Sequence, residues 1–175
     1  MRNYRDKIKV YLGDLAEKTS HPGGGSVSAL SFCLGVSLFQ MSLNFSGTKF
    51  KEIIKKIDKE KERIFPFIDR DGEIFSKLIK ESDPGKKKIL LRKSQKISLD
   101  IGRKCNKILI LARRISPEVK KFIKSDFYIG LKLLETTLFS SLKNLEANQI
   151  LFKVNNIERI AEIKVYLKEF KQYLK

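Results

Sequence analysis

Asp71 is the residue of this sequence whose position is hardest to explain by packing. It falls on the apolar stripe of a predicted helix, three residues after Ile68 and four before Phe75, whereas Asp69 lies off that stripe and is interpreted as a surface acid. A carboxylate on a buried stripe costs free energy unless it has a partner. Either Asp71 pairs with a lysine, or its pKa moves toward neutrality and it can take a proton and return it. Asp71 is therefore a candidate catalytic group.

The second candidate is a glycine-rich segment, which comprises His21, Pro22, Gly23, Gly24, Gly25 and Ser26. It leads into a predicted helix, whose first N–H groups are unpaired and carry a partial positive charge. Because glycine also permits backbone conformations closed to other residues, the segment suits a carboxylate, a phosphate or a carbonyl oxygen of a ligand. The alternative is a flexible connection between helices with Ser26 as a cap. His21 would then face solvent, as loop residues usually do.

A helix predicted from residue 125 carries the third candidate, because it has two distinct stripes. The apolar stripe comprises Phe127, Leu131, Leu134, Leu138, Leu142 and Leu145, and the small or polar stripe comprises Asp126, Gly130, Thr137, Ser141, Asn144 and Asn148. We expect the first stripe in the core and the second against a small helix face, with the asparagines directed into a polar cleft. Alternatively, Asp126 only occupies the first turn of the helix and the asparagines satisfy one another.

The helix expected to position these groups covers residues 27–45. No charged residue occurs between Pro22 and Thr48, and at about 1.5 Å per residue the run is nearly long enough to cross a bilayer. Polar residues interrupt the run and basic charge lies on both sides, which favours a central helix of a soluble protein. Its small face comprises Ser28, Ser31, Gly35 and Ser42, and we expect Leu30, Leu34 and Leu38 to fill the core.

The remaining sequence also has helical periodicity. Helices are predicted at residues 4–18, 50–82, 86–115, 125–152 and 157–174, with a kink in the second of these at Pro66. No window alternates long enough to predict a strand, and no internal repeat is visible. We expect one all-α domain at residues 1–175, a bundle of about six long helices.

The composition restricts the class of partner. The net charge is +17, which suits nucleic acid or an anionic small molecule, but most lysines alternate with apolar residues at helical period and are interpreted as solvated helix faces. Cys33 and Cys105 stand alone on predicted helices and the chain has one histidine, so no metal cluster or disulfide framework is indicated. The N-terminal residues lack the apolar core of a signal peptide. We expect a cytoplasmic protein.

Three motifs occur along the chain in a recognisable order. They are Pro-Gly-Gly-Gly-Ser-Val at 22–27 followed by the small-residue helix, Asp-x-Asp before a phenylalanine at 69–75, and Ser-Asp at 125–126 followed by a helix with Asn-x-x-x-Asn at 144–148. These motifs resemble the formiminotransferase-cyclodeaminase C-terminal family, and the resemblance covers nearly the whole chain. That family includes methenyltetrahydrofolate cyclohydrolases and the cyclodeaminase part of a bifunctional folate enzyme.

The resemblance implies a folate one-carbon enzyme, either a methenyltetrahydrofolate cyclohydrolase or a formiminotetrahydrofolate cyclodeaminase. It implies an all-helical homodimer that binds a tetrahydrofolate derivative, which can be polyglutamylated, with no metal and no cofactor beyond this substrate. Nucleic acid and membrane are not among the implied partners. The family's catalytic carboxylate falls on Asp71, and Asp126 would orient water or bind pterin nitrogens. The implied substrate-binding residues are Gly23, Gly24, Gly25, Ser26, Ser125, Asn144 and Asn148.

The chain also departs from the family pattern at four positions. Val119 and Lys120 stand where members commonly have Gly-Asn, Phe127 follows the Ser-Asp pair in place of a small residue or leucine, and Glu146 replaces an arginine. A catalytically inactive member that serves as a folate-binding or structural dimer is therefore the alternative function. A basic helical nucleic-acid binder is a further alternative, and its binding would weaken steeply as salt rises.

Overall fold

The computed structural model describes residues 3–173, which form seven α-helices and no strand. In chain order the helices are α1 Tyr4–Ala16, α2 Gly24–Ser46, α3 Lys51–Ile64, α4 Phe67–Lys80, α5 Pro84–Ile115, α6 Lys124–Phe152 and α7 Ile157–Tyr173. Short 3-10 helices at Thr48–Phe50, Ser116–Glu118 and Lys121–Ile123 join some of them. The predicted all-α class is confirmed. The predicted end of the last helix, at Leu174, lies outside the described residues.

Helix α2 is the centre of the arrangement and packs most extensively against α6. The two helices approach closely where glycines face each other: a Cβ added at Gly35 would lie 2.9 Å from the carbonyl oxygen of Gly130. The small face of α2 thus meets the small and polar stripe of α6, as the sequence predicts. Phe39 of α2 and Phe127 of α6 extend this contact, with ring centroids 5.7 Å apart in an edge-to-face arrangement.

The long helix predicted at residues 50–82 is two helices in the structure. α3 ends at Ile64 and α4 begins at Phe67, because Pro66 has no N–H to donate and its ring excludes the preceding helical turn. The predicted apolar stripe nevertheless continues across the break: Ile57 and Ile64 of α3 and Leu78 of α4 are buried. The stripe is continuous because the apolar faces of α3 and α4 both pack against α2.

The apolar stripes of the two longest helices lie in the core as predicted. These buried residues are Ile97, Ile101, Cys105, Ile108, Ala112 and Ile115 of α5 and Phe127, Leu131, Leu134, Leu138, Leu142 and Leu145 of α6. For α2 the prediction that Leu34 fills the core is wrong, since Leu34 is 48% exposed. Leu30 and Leu38 are half-buried. The buried apolar residues of α2 are Ala29, Phe32, Cys33, Val36, Phe39 and Leu43. An almost uncharged helix has no polar side to fix its orientation, so periodicity could not identify which leucines face outward.

Helix α1 is amphipathic but lies at the edge of the bundle with no buried residue. Tyr4, Ile8 and Leu12 of its apolar stripe are each more than half exposed. A hydrogen bond between the hydroxyls of Tyr11 and Ser26, 2.9 Å apart, connects α1 to α2. Within one chain, therefore, Tyr4, Ile8 and Leu12 are largely uncovered, whereas Tyr11 and Leu15 are partly buried.

Helix α2 is long and apolar enough to cross a membrane, and within residues 3–173 no other helix is. In the structure 67% of its most apolar window is buried inside the protein. Most of its apolar residues are thus accounted for by the core of the bundle, whereas Leu34 and Phe45 remain exposed.

Candidate active-site cleft

A cleft of about 180 Å³ lies at the start of α2, between α4, α5 and the C-terminal part of α6. Its lining comprises Ser20, Gly23, Gly24, Gly25, Asp71, Phe75, Ser94, Ser98, Asn144, Ala147, Asn148 and Leu151. The structure therefore brings together the three glycines, Asp71 and both asparagines, which lie far apart in the sequence.

The carboxyl group of Asp71 rests directly on the backbone of Gly25. A Cβ added at Gly25 would lie 1.9 Å from Oδ2 and 2.3 Å from Cγ of Asp71. No side chain at residue 25 fits unless the carboxyl group moves. Glycine is needed here for the close approach of a side chain, and the contact fixes where the acid stands.

The surroundings of Asp71 favour its neutral form. Burial raises the pKa of Asp71 to about 6, and the nearby charge of His21 acts in the opposite, lowering direction. Among residues 3–173 no lysine or arginine forms an ion pair with Asp71. The alternative that Asp71 is a structural ion-pair partner is therefore not what the structure has. A carboxyl group with a pKa near the working pH can accept and return a proton.

The glycines are the first turn of α2 and do not form a loop in front of it. Gly23 is the N-cap and offers no side-chain hydrogen bond, and α2 begins at Gly24. Ser26 is fully buried and its hydroxyl is paired with Tyr11, so Ser26 is neither the cap nor part of the cleft lining. The first N–H groups of α2 have no partner within the helix and lie at its positive end, beside the cleft.

The two asparagines enter the cleft from α6, one helical turn apart. Asn148 is buried and its Nδ2 donates to Oγ of Ser94 on α5 over 3.4 Å. Asn144 is half-buried, and its Oδ1 would lie 3.4 Å from a Cβ placed on Gly24. The asparagines thus contact α5 and the start of α2, and their alternative role of satisfying one another is not observed.

The Ser125 and Asp126 pair lies elsewhere. Both residues are in the first turn of α6, and Asp126 is eighteen residues before Asn144, which corresponds to about 27 Å along the helix. The Ser125 hydroxyl lies 3.4 Å from Oδ2 of Asp126. The structure does not bring Asp126 together with Asp71 in one chain, and the predicted role of Asp126 in the site stays a prediction.

The four departures from the family pattern are at structural or surface positions. Phe127 is fully buried in the core, Val119 is buried, and the backbone N–H of Lys120 donates to Oγ of Ser46. Glu146 bonds to Lys143 over 2.8 Å and lies 3.6 Å from Lys164, outside the cleft. None of these side chains enters the cleft.

Several cleft residues were not singled out by the sequence. Ser94 and Ser98 are buried polar residues one turn apart on α5, and this spacing on an otherwise apolar face was the signal that could have identified them. Leu151 and Ala147 had no such signal, because single apolar or small residues on a helix are ordinary. Within residues 3–173 no cluster of histidine, cysteine, aspartate and glutamate could hold a metal ion.

Comparisons with known proteins place this cleft in context. A model of the family described as formiminotransferase-cyclodeaminase matches residues 7–167. The crystal structure of formiminotetrahydrofolate cyclodeaminase from Thermotoga maritima is similar to this structure with a TM-score of 0.81 and 19% sequence identity, over 98% of this chain and 91% of that one. This likeness concerns the fold. A comparison with curated proteins gave no match.

Proposed function

Because the chain belongs to the formiminotransferase-cyclodeaminase family, we propose that its cleft binds a tetrahydrofolate derivative and acts on the one-carbon unit held at N5 and N10. The observation that supports this proposal most directly is the half-buried carboxyl group of Asp71, which contacts Gly25 and lines the cleft together with both asparagines. These are the positions that the family motifs predict. The reaction is either the hydrolysis of methenyltetrahydrofolate or the deamination of formiminotetrahydrofolate.

In the hydrolysis, water adds to the methenyl carbon between the two nitrogens. Asp71 takes one proton of the water as the new C–O bond forms. It then returns the proton to N5 as the C–N5 bond breaks, and the remaining hydroxyl proton passes to solvent as the formyl C=O forms, which leaves 10-formyltetrahydrofolate. A carboxyl group with a pKa of about 6 can serve both steps near neutral pH, because neither protonation state is strongly favoured.

In the deamination, N10 attacks the carbon of the protonated formimino group, N5–CH=NH2+, and ammonia leaves. Asp71 takes the proton of N10 as the ring closes and delivers a proton to the departing nitrogen. The product is the methenyl derivative, so the two candidate reactions share the carbon that is attacked and the carboxyl group required. The arrangement of Asp71 alone does not select between them.

The other cleft residues are proposed to bind the substrate. The amide groups of Asn144 and Asn148 offer both donors and acceptors, which suit the nitrogens and the carbonyl oxygen of a pterin ring. The unpaired N–H groups of Gly24 and Gly25 at the start of α2 suit a carboxylate or carbonyl oxygen. Metal and further cofactors have no part in this proposal.

A second copy of the chain is proposed to complete the site. The cleft volume of about 180 Å³ is below the range of about 300–1,000 Å³ usual for ligand pockets, so one chain encloses only part of a folate. Ser125 and Asp126, which lie away from the cleft, would then contribute from the partner. An inactive folate-binding dimer remains the alternative function, and it requires the same cleft without turnover.

The test is to give purified protein methenyltetrahydrofolate and formiminotetrahydrofolate separately and to follow the methenyl absorbance. Loss of absorbance with the first, faster than in buffer, identifies a cyclohydrolase, and gain with the second identifies a cyclodeaminase. Absence of both changes, with folate binding intact, would support the inactive alternative. Absence of binding would contradict the proposal as a whole.

A further inference from the structure

His21 is the single histidine of the chain, and its ring lies on the backbone of Gly72 in α4. A Cβ added at Gly72 would fall 1.7 Å from Nδ1 and 2.2 Å from Cγ of His21. Any side chain at residue 72 would therefore displace the ring. Gly72 follows Asp71 directly in the sequence. The ring of His21, which occupies the space where a side chain of residue 72 would stand, therefore lies next to the residue whose carboxyl group lines the cleft.

The segment before α2 is held along the same face of α4. The hydroxyl of Ser20 lies 2.7 Å from that of Ser76, and the hydroxyl of Thr19 donates to the carbonyl oxygen of His21 over 2.9 Å. Ser76 is one turn of α4 beyond Gly72, so two successive residues of the segment contact one helix face. The position of the imidazole is thus defined from both sides.

The ring has no hydrogen bond that would explain its position structurally. Nδ1 of His21 is buried and has no hydrogen-bond partner among the described residues. An unpartnered buried nitrogen costs free energy, so packing and hydrogen bonding alone do not favour a histidine here. What the position does provide is a group that can carry positive charge beside Asp71.

The charged groups around His21 are few. Asp71 lies on the side of the cleft, and Glu73, Lys77, Lys80 and Glu81 line an outer groove together with the ring. Helix α2 contributes none, because no charged residue occurs between Pro22 and Thr48. The outer groove holds two acids and two cations, whose charges cancel, and Asp71 is the acid on the cleft side.

We infer that His21 is a positioning residue for Asp71, in a role that rests on the proposed function. Its ring is held over Gly72 beside the carboxyl group, and in its protonated form it favours the ionised carboxylate that accepts a proton. Burial and His21 thus oppose each other: burial raises the pKa of Asp71 and the His21 charge lowers it. Without His21, less of Asp71 would be ionised at neutral pH.

The experiment titrates Asp71 directly and needs no substrate. Protein labelled with ¹³C at aspartate is followed by NMR as the pH changes, and Asp71→Asn identifies the Asp71 carboxyl signal by its loss. His21→Phe keeps a ring over Gly72 without a charge, and Lys77→Gln is the matched control, because it removes a cation from the outer groove. We expect a midpoint near pH 6 in the wild type, an upward shift in His21→Phe and no comparable shift in Lys77→Gln.

Equal Asp71 midpoints in the wild type and His21→Phe would overturn the inference. It would also be overturned if Lys77→Gln raised the Asp71 midpoint as much as His21→Phe does, because the effect would then come from the basic surface in general. If His21→Phe does not fold, His21→Asn replaces it. The ring signals of His21 in the wild type give a further measure. If the pH dependence of the His21 ring signals has an inflection at the midpoint of Asp71, and Asp71→Asn abolishes that inflection, the inference is supported. If the wild type has no such inflection, the inference is contradicted.

Turnover provides a separate readout. The acid limb of the pH–rate profile should move upward in His21→Phe with little change in KM, whereas a merely structural role would lower activity at every pH. The NMR result distinguishes the two proposals, since Asp71 can be tuned by His21 even in a protein that turns over no folate.

Discussion

At residue 71 a carboxyl group occupies a position that packing alone would give to an apolar side chain. Its contact with Gly25 explains how the fold admits the group, and its raised pKa is the consequence of burial. Removing its charge should therefore affect activity and stability in opposite directions. This contrast distinguishes a functional acid from a structural one.

The prediction for activity concerns Asp71→Asn, which keeps the volume and removes the titrating group. Turnover should fall by about a hundredfold or more, the usual scale for loss of a general acid or base. Asp69→Asn is the matched control, because Asp69 is exposed on the same helix, and it should leave turnover unchanged. Steady-state kinetics of both variants check this. Normal turnover in Asp71→Asn would remove Asp71 from the mechanism.

The prediction for stability follows from the same pKa. Because the folded pKa of Asp71 is raised from 3.8 to about 6, the native state binds more protons than the unfolded chain in that window, and wild-type stability falls as the pH rises through it. At about 1.4 kcal/mol per unit, the cost at pH 8 is at most roughly 3 kcal/mol, and partial exposure reduces it. Asp71→Asn should melt no lower than the wild type at pH 8, and its advantage should vanish near pH 4. Thermal melts at both pH values test this, and a lower melting temperature at pH 8 would contradict it.

At the scale of elements, the distance between α2 and α6 is set by Gly35 and Gly130. A Cβ at Gly35 would also lie 2.9 Å from Cγ of Leu134, so Gly35→Ala must push the two helices apart. We expect Gly35→Ala to lower the free energy of unfolding by up to about 2 kcal/mol, since overpacking costs about 1–3 kcal/mol and the higher helix propensity of alanine offsets about 1 kcal/mol of it.

The control for this prediction is Gly13→Ala in α1. A Cβ at Gly13 has no neighbour within 4 Å, so only helix propensity remains and the melting temperature should not fall. Denaturant unfolding of both variants measures the difference. Equal stability of Gly35→Ala and the wild type would mean that α2 and α6 can move apart without a loss in the free energy of unfolding, which would contradict the prediction.

At the scale of the whole molecule, apolar residues remain uncovered in one chain. Ile8 and Leu12 of α1 are more than half exposed, as is Phe45 of α2, and Leu34 is nearly so. A stripe of this kind usually marks an interface, and we predict a homodimer. Light scattering should give about twice the chain mass of 20.2 kDa.

Replacing Ile8 and Leu12 by glutamate should lower that mass to the monomer, because neither side chain is part of the core and the fold should survive. Lys9→Glu is the control on the same helix and should stay dimeric. A monomeric wild type at micromolar concentration would be evidence against the dimer.

The net charge of +17 leads to a prediction about the length of the folate tail. A groove of about 490 Å³ between α4 and α5 is lined by two acids, Glu73 and Asp100, and by four cations, Arg70, Lys77, Lys93 and Lys96. None of the four cations pairs with an acid among residues 3–173. Arg70 and Lys93 adjoin the cleft residues Asp71 and Ser94 in sequence. We expect polyglutamate ligands to associate faster than monoglutamate ones at low salt and to lose this advantage at high salt.

Stopped-flow association rates over a salt series provide the measurement. Replacing Lys93 and Lys96 by glutamate should abolish the advantage. The same replacement at Lys168 and Lys171 changes the net charge equally but on α7, and it should retain most of the advantage. Equal rates for both tail lengths at low salt would refute the prediction.

The sequence by itself determined the helices, most of their buried stripes and the unusual position of Asp71 on such a stripe. These properties depend on local spacing: a period of 3.6 residues reveals which side of a helix is apolar, and a carboxylate on that side stands out. Even the separation of Asp126 from Asn144 follows from the length of a helix. The family motifs, by contrast, indicated both residues without saying that one chain cannot bring them together.

Only the tertiary structure decided which faces meet and at what distance. It placed Asp71 on Gly25 and His21 on Gly72, and it turned Leu34 outward on a helix with no charged side. The physical reason is that each of these contacts depends on how closely two helices approach. That distance is set by the packing of many side chains on several elements, which the spacing of residues along one helix does not encode.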